Sequence, residues 1–188
     1  MHRKTGVRNT GILFGGLAAG IVASRLLPPF IATLTGRGKA RAGADPFDRL
    51  IDDHRQILSL LDNMLDPSEP SRARKARLYL MLKRKVAKHA LAEEDVVYPL
   101  VRNDSANGDE RRRLYDEHAN MKILLHQTGE MLKRGDGWKE TVGMLRSLIR
   151  EHAELEEKTI FPELRRELER IQWPKLSGRI SREEALIL

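Results

Sequence analysis

Two segments of the chain place a histidine four residues before a glutamate in the same local pattern. Residues 89–99 read HALAEEDVVYP, and residues 152–162 read HAELEEKTIFP. On an α-helix, a step of four residues is about 40° of rotation and roughly 6 Å of rise, so His89 and Glu93 share one face. The second segment has the same arrangement. Imidazole and carboxylate groups gathered in this way suit a bound metal ion.

Two further histidines lie upstream of these segments, each after two acidic residues, as Asp52-Asp53-His54 and Asp116-Glu117-His118. The chain is therefore two copies of one α-hairpin, in which the first helix supplies His and the second supplies His-x-x-x-Glu. Buried carboxylates are costly unless they are paired or bind a metal, and no Lys or Arg lies on the predicted inner faces. The pattern predicts a metal pair bridged by the two glutamates. The predicted ligands are His54, His89, Glu93, His118, His152 and Glu156.

Apolar residues at steps of three and four predict the helices that position these ligands. Asp45-Pro46 is a helix start, and Gly135 with Gly137 breaks the chain between the third and fourth helices. Four long helices joined by short loops predict an all-α, up-down-up-down four-helix bundle. The predicted helices cover residues 45–65, 71–102, about 110–133 and about 138–170.

Other residues near the ligands are predicted to lie outside the site. Glu94 and Glu157 are expected to be solvated, because they point about 100° away from the ligand face. Tyr98 and Phe161 are expected to pack in the core. Residues expected to contribute no ligand also include His2 and His126, and Pro99 and Pro162 are expected to kink or end their helices.

The amino-acid composition excludes several kinds of site and partner. The 188 residues include six His and no Cys, which excludes disulfides, iron–sulfur clusters, thiolate zinc sites and cysteine nucleophiles. The net charge of +7 lies in the N-terminal region, because residues 1–41 hold seven Lys and Arg and no acid, leaving 27 basic against 27 acidic residues in the rest. A neutral domain lacks the electrostatic footprint of a nucleic-acid-binding surface, so nucleic acid is not the expected partner.

The N-terminal region, residues 1–44, is a basic, Gly-rich apolar tail. Its apolar stretch, residues 10–35, is interrupted by Arg25 and Pro28-Pro29 and is a poor membrane span. Three roles stay open: an anchor that binds an anionic membrane through residues 1–41, a cleaved signal peptide, or an arm that packs on the domain. They imply a cytoplasmic or inner-membrane-associated protein, or a periplasmic or secreted one if a signal is removed. The bundle is assigned to residues 45–170 and a C-terminal extension to residues 171–188.

The motif H…HxxxE…H…HxxxE resembles that of the hemerythrin-like, or HHE cation-binding, family. The resemblance implies a non-haem di-iron site, oxo- or hydroxo-bridged, in a four-helix bundle. By that resemblance His54 and His89 bind one iron, and His118 and His152 bind the other. Glu93 and Glu156 bridge the two irons.

Lys122 stands where oxygen-carrying hemerythrins have a further histidine, so the chain looks more like family members with four histidines and two glutamates. The expected function is a di-iron protein that binds or reacts with O₂, peroxide or NO, for sensing, detoxification or iron handling. Whether the protein is an enzyme stays open. The ligand types also suit Zn or Mn. The alternative is a membrane-tethered interaction protein whose metal is structural.

Overall fold

The computed structural model describes residues 45–68, 71–102 and 108–187. The predictions for the tail, residues 1–44, lie outside these ranges. Within them the chain is helical and contains no strand, which confirms the predicted all-α fold. None of the helices in these ranges has both the length and the apolar character needed to cross a bilayer.

Four long helices form the bundle, and they are followed by two shorter ones. The second and fourth helices change character at the two glutamates of the repeat, where each continues as a π-helical turn. The long helices are α1 Pro46–Leu65, α2 Arg72–Ala92, α3 Gly108–Arg134 and α4 Trp138–Leu155. The π turns are Glu93–Val97, followed by a 3₁₀ turn Tyr98–Leu100, and Glu156–Ile160, followed by α5 Phe161–Glu167; a 3₁₀ turn Arg170–Gln172 and α6 Trp173–Glu184 complete the fold.

The helix ends follow local sequence signals. The Asp45 side chain accepts a hydrogen bond of 2.8 Å from the backbone N–H of Phe47 and caps α1. Gly135 and Gly137, with φ of 94° and 65°, form the tight turn between α3 and α4 in backbone conformations that favour glycine. The fourth helix is shorter than predicted, because α5 ends before Leu168, whose backbone is extended.

Two apolar clusters fill the bundle, one on each side of the histidine layer. Along each long helix the site residues lie at the boundary between the clusters, so the polar layer is closed above and below. One cluster is Phe47, Leu50, Ala92, Val96, Val97, Tyr98, Val101, Leu114, Ile160, Phe161, Leu164, Leu176 and Ile180. The other is Ile57, Leu61, Met64, Leu82, Val86, Met121, Leu125, Trp138, Val142, Leu145 and Ile149. Water exclusion by these clusters strengthens every electrostatic interaction in the layer between them.

The C-terminal extension packs on the outside of the bundle against α1 and α2. Leu176 and Ile180 of α6 are buried in the first apolar cluster. The Arg49 guanidinium donates a hydrogen bond of 2.6 Å to the Ser181 hydroxyl and also pairs with Glu184. The last helix therefore covers the side of the bundle nearest to His54 and His89.

Candidate metal centre

The structure brings all six predicted ligands into one buried layer. Each long helix contributes one of the four histidines, and the glutamates stand at the ends of α2 and α4. None of the six is more than 4% exposed. Their donor atoms form two overlapping groups, in each of which all atoms lie within 4.8 Å of one another. The groups are His54, His89, Glu93 and Glu156, and Glu93, His118 and His152.

The two carboxylates lie between two pairs of imidazoles. Glu93 Oε2 is 3.1 Å from His89 Nε2 and 3.4 Å from His118 Nε2, so it approaches one histidine of each pair. Glu156 does the same with its two oxygens, at 3.1 Å from His54 Nε2 and 3.4 Å from His152 Nε2. This is the arrangement required of carboxylates that bridge two metal ions.

The π turns begin at the two glutamates. The Tyr98 backbone N–H donates to the Glu93 carbonyl, and the Phe161 backbone N–H donates to the Glu156 carbonyl, five residues back in each case. A regular α-helix would place the fifth residue about 140° away from the glutamate. A turn closed by an i→i+5 hydrogen bond returns it close to the same face, and such turns are frequent at functional sites.

Three of the histidines donate a hydrogen bond from the ring nitrogen Nδ1 to a carboxylate. Nδ1–carboxylate distances are 2.8 Å for His54 and Glu157, 3.0 Å for His118 and Glu94, and 2.7 Å for His152 and Glu117. The fourth histidine, His89, has Nδ1 4.0 Å from an oxygen of Asp53. A carboxylate acceptor fixes the proton on Nδ1 and directs the Nε2 lone pair into the bundle, where a metal needs it.

These carboxylates run in one direction round the bundle. Asp53 of α1 faces His89 of α2, and Glu94 of the first π turn faces His118 of α3. Glu117 of α3 faces His152 of α4, and Glu157 of the second π turn faces His54 of α1. Basic residues hold three of them from outside, through the pairs Lys85–Asp53 at 2.5 Å, Lys122–Glu94 at 2.6 Å and Arg113–Glu117 at 2.6 Å. The result is a closed ring of acids around the histidines.

The expectation that Glu94 and Glu157 are solvated bystanders is wrong. Their side chains are 21% and 34% exposed, and each binds a histidine. The regular helical phase used for that prediction fails at the π turns. Sequence reasoning also missed Asp53 and Glu117 as histidine partners. The repeat itself carried the signal. In both copies an acid directly precedes the first histidine, and the glutamate of the His-x-x-x-Glu motif is directly followed by another glutamate.

The pKa values of the two buried glutamates are shifted in opposite directions. Burial and the neighbouring Glu156 raise the pKa of Glu93 well above its usual range. Burial opposes ionisation of Glu156 too, but the imidazoles of His152 and His54 outweigh it and lower its pKa. For His54, the surrounding glutamates likewise outweigh burial and raise the pKa to about 9. Two carboxylates in one dry layer therefore cannot easily both keep their charge unless cations accompany them.

Unpartnered buried atoms give a direct test of whether a metal fits. Among the described residues, six of the eight buried side-chain nitrogen and oxygen atoms without a hydrogen bond lie in this layer. They are His54 Nε2, His89 Nδ1 and Nε2, both oxygens of Glu93, and Glu156 Oε2. Buried polar atoms are normally satisfied, and five of these six face the centre as metal donors. The residues present fit a pair of metal ions.

Tyr98 and Phe161 occupy equivalent positions in the two halves of the repeat but face the layer differently. The Tyr98 hydroxyl donates a hydrogen bond of 2.9 Å to Glu156 Oε1. Burial, followed by the charges of Glu156 and Glu93, raises the pKa of this phenol well above its usual range. The Phe161 ring instead lies parallel to the His54 ring, with centroids 6.2 Å apart. Tyr98 thus belongs to the polar layer as well as to the apolar core.

The remaining predictions near the site concern two histidines and two prolines. His126 is exposed and has no atom in either donor group, and His2 lies outside the described ranges. Pro99 lies in the 3₁₀ turn that ends the second helix, as expected. Pro162 is the second residue of α5 and does not end that helix.

Removal of the acid ring should weaken metal binding without abolishing it. We expect Glu94→Ala and Glu157→Ala each to lower metal affinity about 10- to 100-fold, the usual cost of losing a carboxylate that orients a ligand histidine. A competitive chelator titration measures the effect. Glu154→Ala, at an exposed position three residues before Glu157, is the matched control. Unchanged affinity in both ring variants would contradict an orienting role.

Comparison with known proteins agrees with the geometry. The chain is 30% identical over 116 residues to a protein named DNA nickase from Nostoc sp. (strain PCC 7120 / SAG 25.82 / UTEX 2576), a match covering 62% of this chain and 32% of that protein. The chain thus spans about a third of the length of that relative. The family model of the hemerythrin HHE cation binding domain matches residues 45–164, well over half of the chain. With its histidines and glutamates in one buried layer of a helical bundle, the chain belongs to the hemerythrin HHE cation binding domain family.

Proposed function

We propose that the bundle holds two iron ions and binds or reacts with O₂, peroxide or NO. The observation that carries this proposal is the pair of overlapping donor groups that share Glu93 and are spanned by Glu156, with their inward atoms left without hydrogen bonds. His54 and His89 would hold one ion, and His118 and His152 the other. Iron bound by imidazole and carboxylate would supply redox chemistry and positions for a small ligand.

The chain's own residues suit this task in three ways. The two glutamates would bring negative charge to two cations inside a buried layer. The acid ring keeps three of the four histidines in one tautomer and orientation. The two apolar clusters exclude water from the layer between them. The dry layer favours a small uncharged ligand over a bulky polar substrate.

Anaerobic loading with Fe(II), followed by exposure to air, tests the proposal. We expect uptake of two irons per chain and a visible charge-transfer absorption after oxidation. His118→Ala should abolish or strongly change that spectrum, because its Nε2 lies in the layer. His126→Ala should leave it unchanged. A spectrum that collapses without His126 would mean that the donor set is misassigned.

The same measurement separates the proposal from the alternative of a membrane-tethered interaction protein with a structural metal. A structural site would bind Zn(II) in preference and stay colourless after Fe(II) and air. It would also keep its ions through the air-exposure step without any change in absorption. Two bound irons with no spectral change would therefore favour the structural role.

A second candidate function is DNA binding with strand nicking. Its support is the name of the Nostoc relative together with eight basic residues on α2. They are Arg72, Arg74, Lys75, Arg77, Lys83, Arg84, Lys85 and Lys88. Conversion of supercoiled plasmid to the open form, compared between the wild type and Arg77→Glu/Arg84→Glu, tests it. Activity that is equal in both proteins would dismiss this surface as a DNA site.

A further inference from the structure

The Tyr98 hydroxyl lies at the corner of a triangle of donor atoms. Tyr98 Oη is 2.9 Å from His118 Nε2 and 3.3 Å from His152 Nε2, and these two nitrogens are 3.1 Å apart. All three atoms are buried in the layer between the apolar clusters. No other described side chain places a phenol within hydrogen-bonding distance of these histidines.

These separations are those of ligands to one metal ion. With metal–donor bonds of about 2.1 Å, adjacent ligands of an octahedral ion stand about 3 Å apart. The three distances agree with the edges of one face of such an octahedron. Glu156 Oε1, at 2.9 Å from Tyr98 Oη and 3.4 Å from His152 Nε2, lies at a fourth neighbouring position.

We propose that Tyr98 Oη is a terminal ligand of the ferric ion held by His118 and His152. This inference rests on the proposed di-iron function and deepens it. The second ion would have five protein residues as ligands, Glu93, Tyr98, His118, His152 and Glu156. The first ion would have four, His54, His89, Glu93 and Glu156. The position open to an exogenous ligand therefore lies on the ion held by His54 and His89.

The other half of the repeat explains why the two ions differ. Phe161 occupies the position equivalent to Tyr98 and has no oxygen to offer; its ring lies parallel to that of His54, with an angle of 2° between the planes. Lys122 of α3 supplies no donor to the layer. Its exposed ammonium group binds Glu94 at 2.6 Å. A third terminal donor for the second ion would thus come from Tyr98, directly after the first π turn, and not from α3.

Binding would exchange a proton for a metal bond. The O–H bond of Tyr98 would break, its hydrogen bond to Glu156 Oε1 would be lost, and the proton would be released to solvent. The phenolate oxygen would form the bond to the ferric ion, and no electron would be transferred in this step. Ligand deprotonation of this kind makes metal binding release protons.

Phenolate-to-iron(III) charge-transfer absorption and resonance Raman spectroscopy test the inference. The full chain is loaded with Fe(II), oxidised in air and assayed separately for iron. We expect a tyrosinate band and ring vibrations that shift when the protein is made with ring-deuterated tyrosine. Tyr98→Phe, which keeps the buried ring, should lose the band while still holding two irons. Tyr115→Phe should retain it, because Tyr115 is exposed and its hydroxyl donates to the Glu94 carbonyl.

Three results would overturn the inference. Two bound irons in the wild type without a tyrosinate band would overturn it and leave the proposed function standing. A band that persists in Tyr98→Phe would assign the ligand to another of the three tyrosines. No iron uptake by the wild type would overturn the proposed function and this inference together. The isotope measurement on the wild type establishes that a tyrosine is a ligand. Retention of the band in Tyr79→Phe and Tyr115→Phe, whose hydroxyls donate to backbone carbonyls, assigns it to Tyr98 even if Tyr98→Phe does not fold.

Discussion

The Glu93→Ala variant is expected to lose two-metal binding while it keeps the helical fold. Glu93 is the residue shared by both donor groups, and one of its oxygens is within 3.4 Å of a histidine of each pair. In the proposed centre its removal would take a ligand from both ions and the bridge between them. Because loss of a residue that merely orients a ligand costs about 10- to 100-fold in affinity, loss of this ligand should exceed about 100-fold.

Metal content after dialysis against a weak chelator, measured together with helical circular dichroism, checks this result. Glu94→Ala is the closest comparison, because it alters the next residue and leaves both donor groups intact. Glu154→Ala should behave as the wild type. Two ions held with wild-type affinity by Glu93→Ala would show that the carboxylate is not a ligand.

Metal removal is expected to lower the melting temperature by a large margin. A ligand present at about 1,000 times its Kd stabilises the folded state by about 4.1 kcal/mol per site. In a protein of this size, 1 kcal/mol corresponds to about 2–4 °C in Tm, so one occupied site is worth about 8–16 °C. A thermal melt with and without chelator measures the difference.

Glu93→Gln separates the cost of the buried acid from the benefit of the metal. In the metal-free protein the neutral amide avoids holding a carboxyl group beside Glu156, so the variant should melt at or above the temperature of the metal-free wild type. Its shift on metal addition should largely disappear. A metal-free variant that melts well below the wild type would mean that Glu93 stabilises the bundle through contacts other than metal binding.

The sequence by itself determined the bundle, its family and the six residues that meet in the buried layer. Each of these depends on regular α-helical periodicity. A spacing of four residues places His89 and Glu93 on one helix face, and the same spacing does so for His152 and Glu156. The prediction holds because each pair lies in or next to unbroken α-helix. The start of α1 at Asp45 and the break at Gly135 and Gly137 likewise follow from local backbone chemistry.

Only the tertiary structure decided what surrounds those six residues. Five residues span a turn in the two π segments, and this returns Tyr98 to the layer and lets Glu94 reach a histidine of another helix. An α-helical phase carried through Glu93 predicts the opposite for both. A π turn costs regular hydrogen bonding, so it persists where contacts between helices compensate for it, and those contacts join residues far apart in the chain. The acid ring depends on pairs such as Glu157 with His54, whose distance along the chain no local pattern encodes.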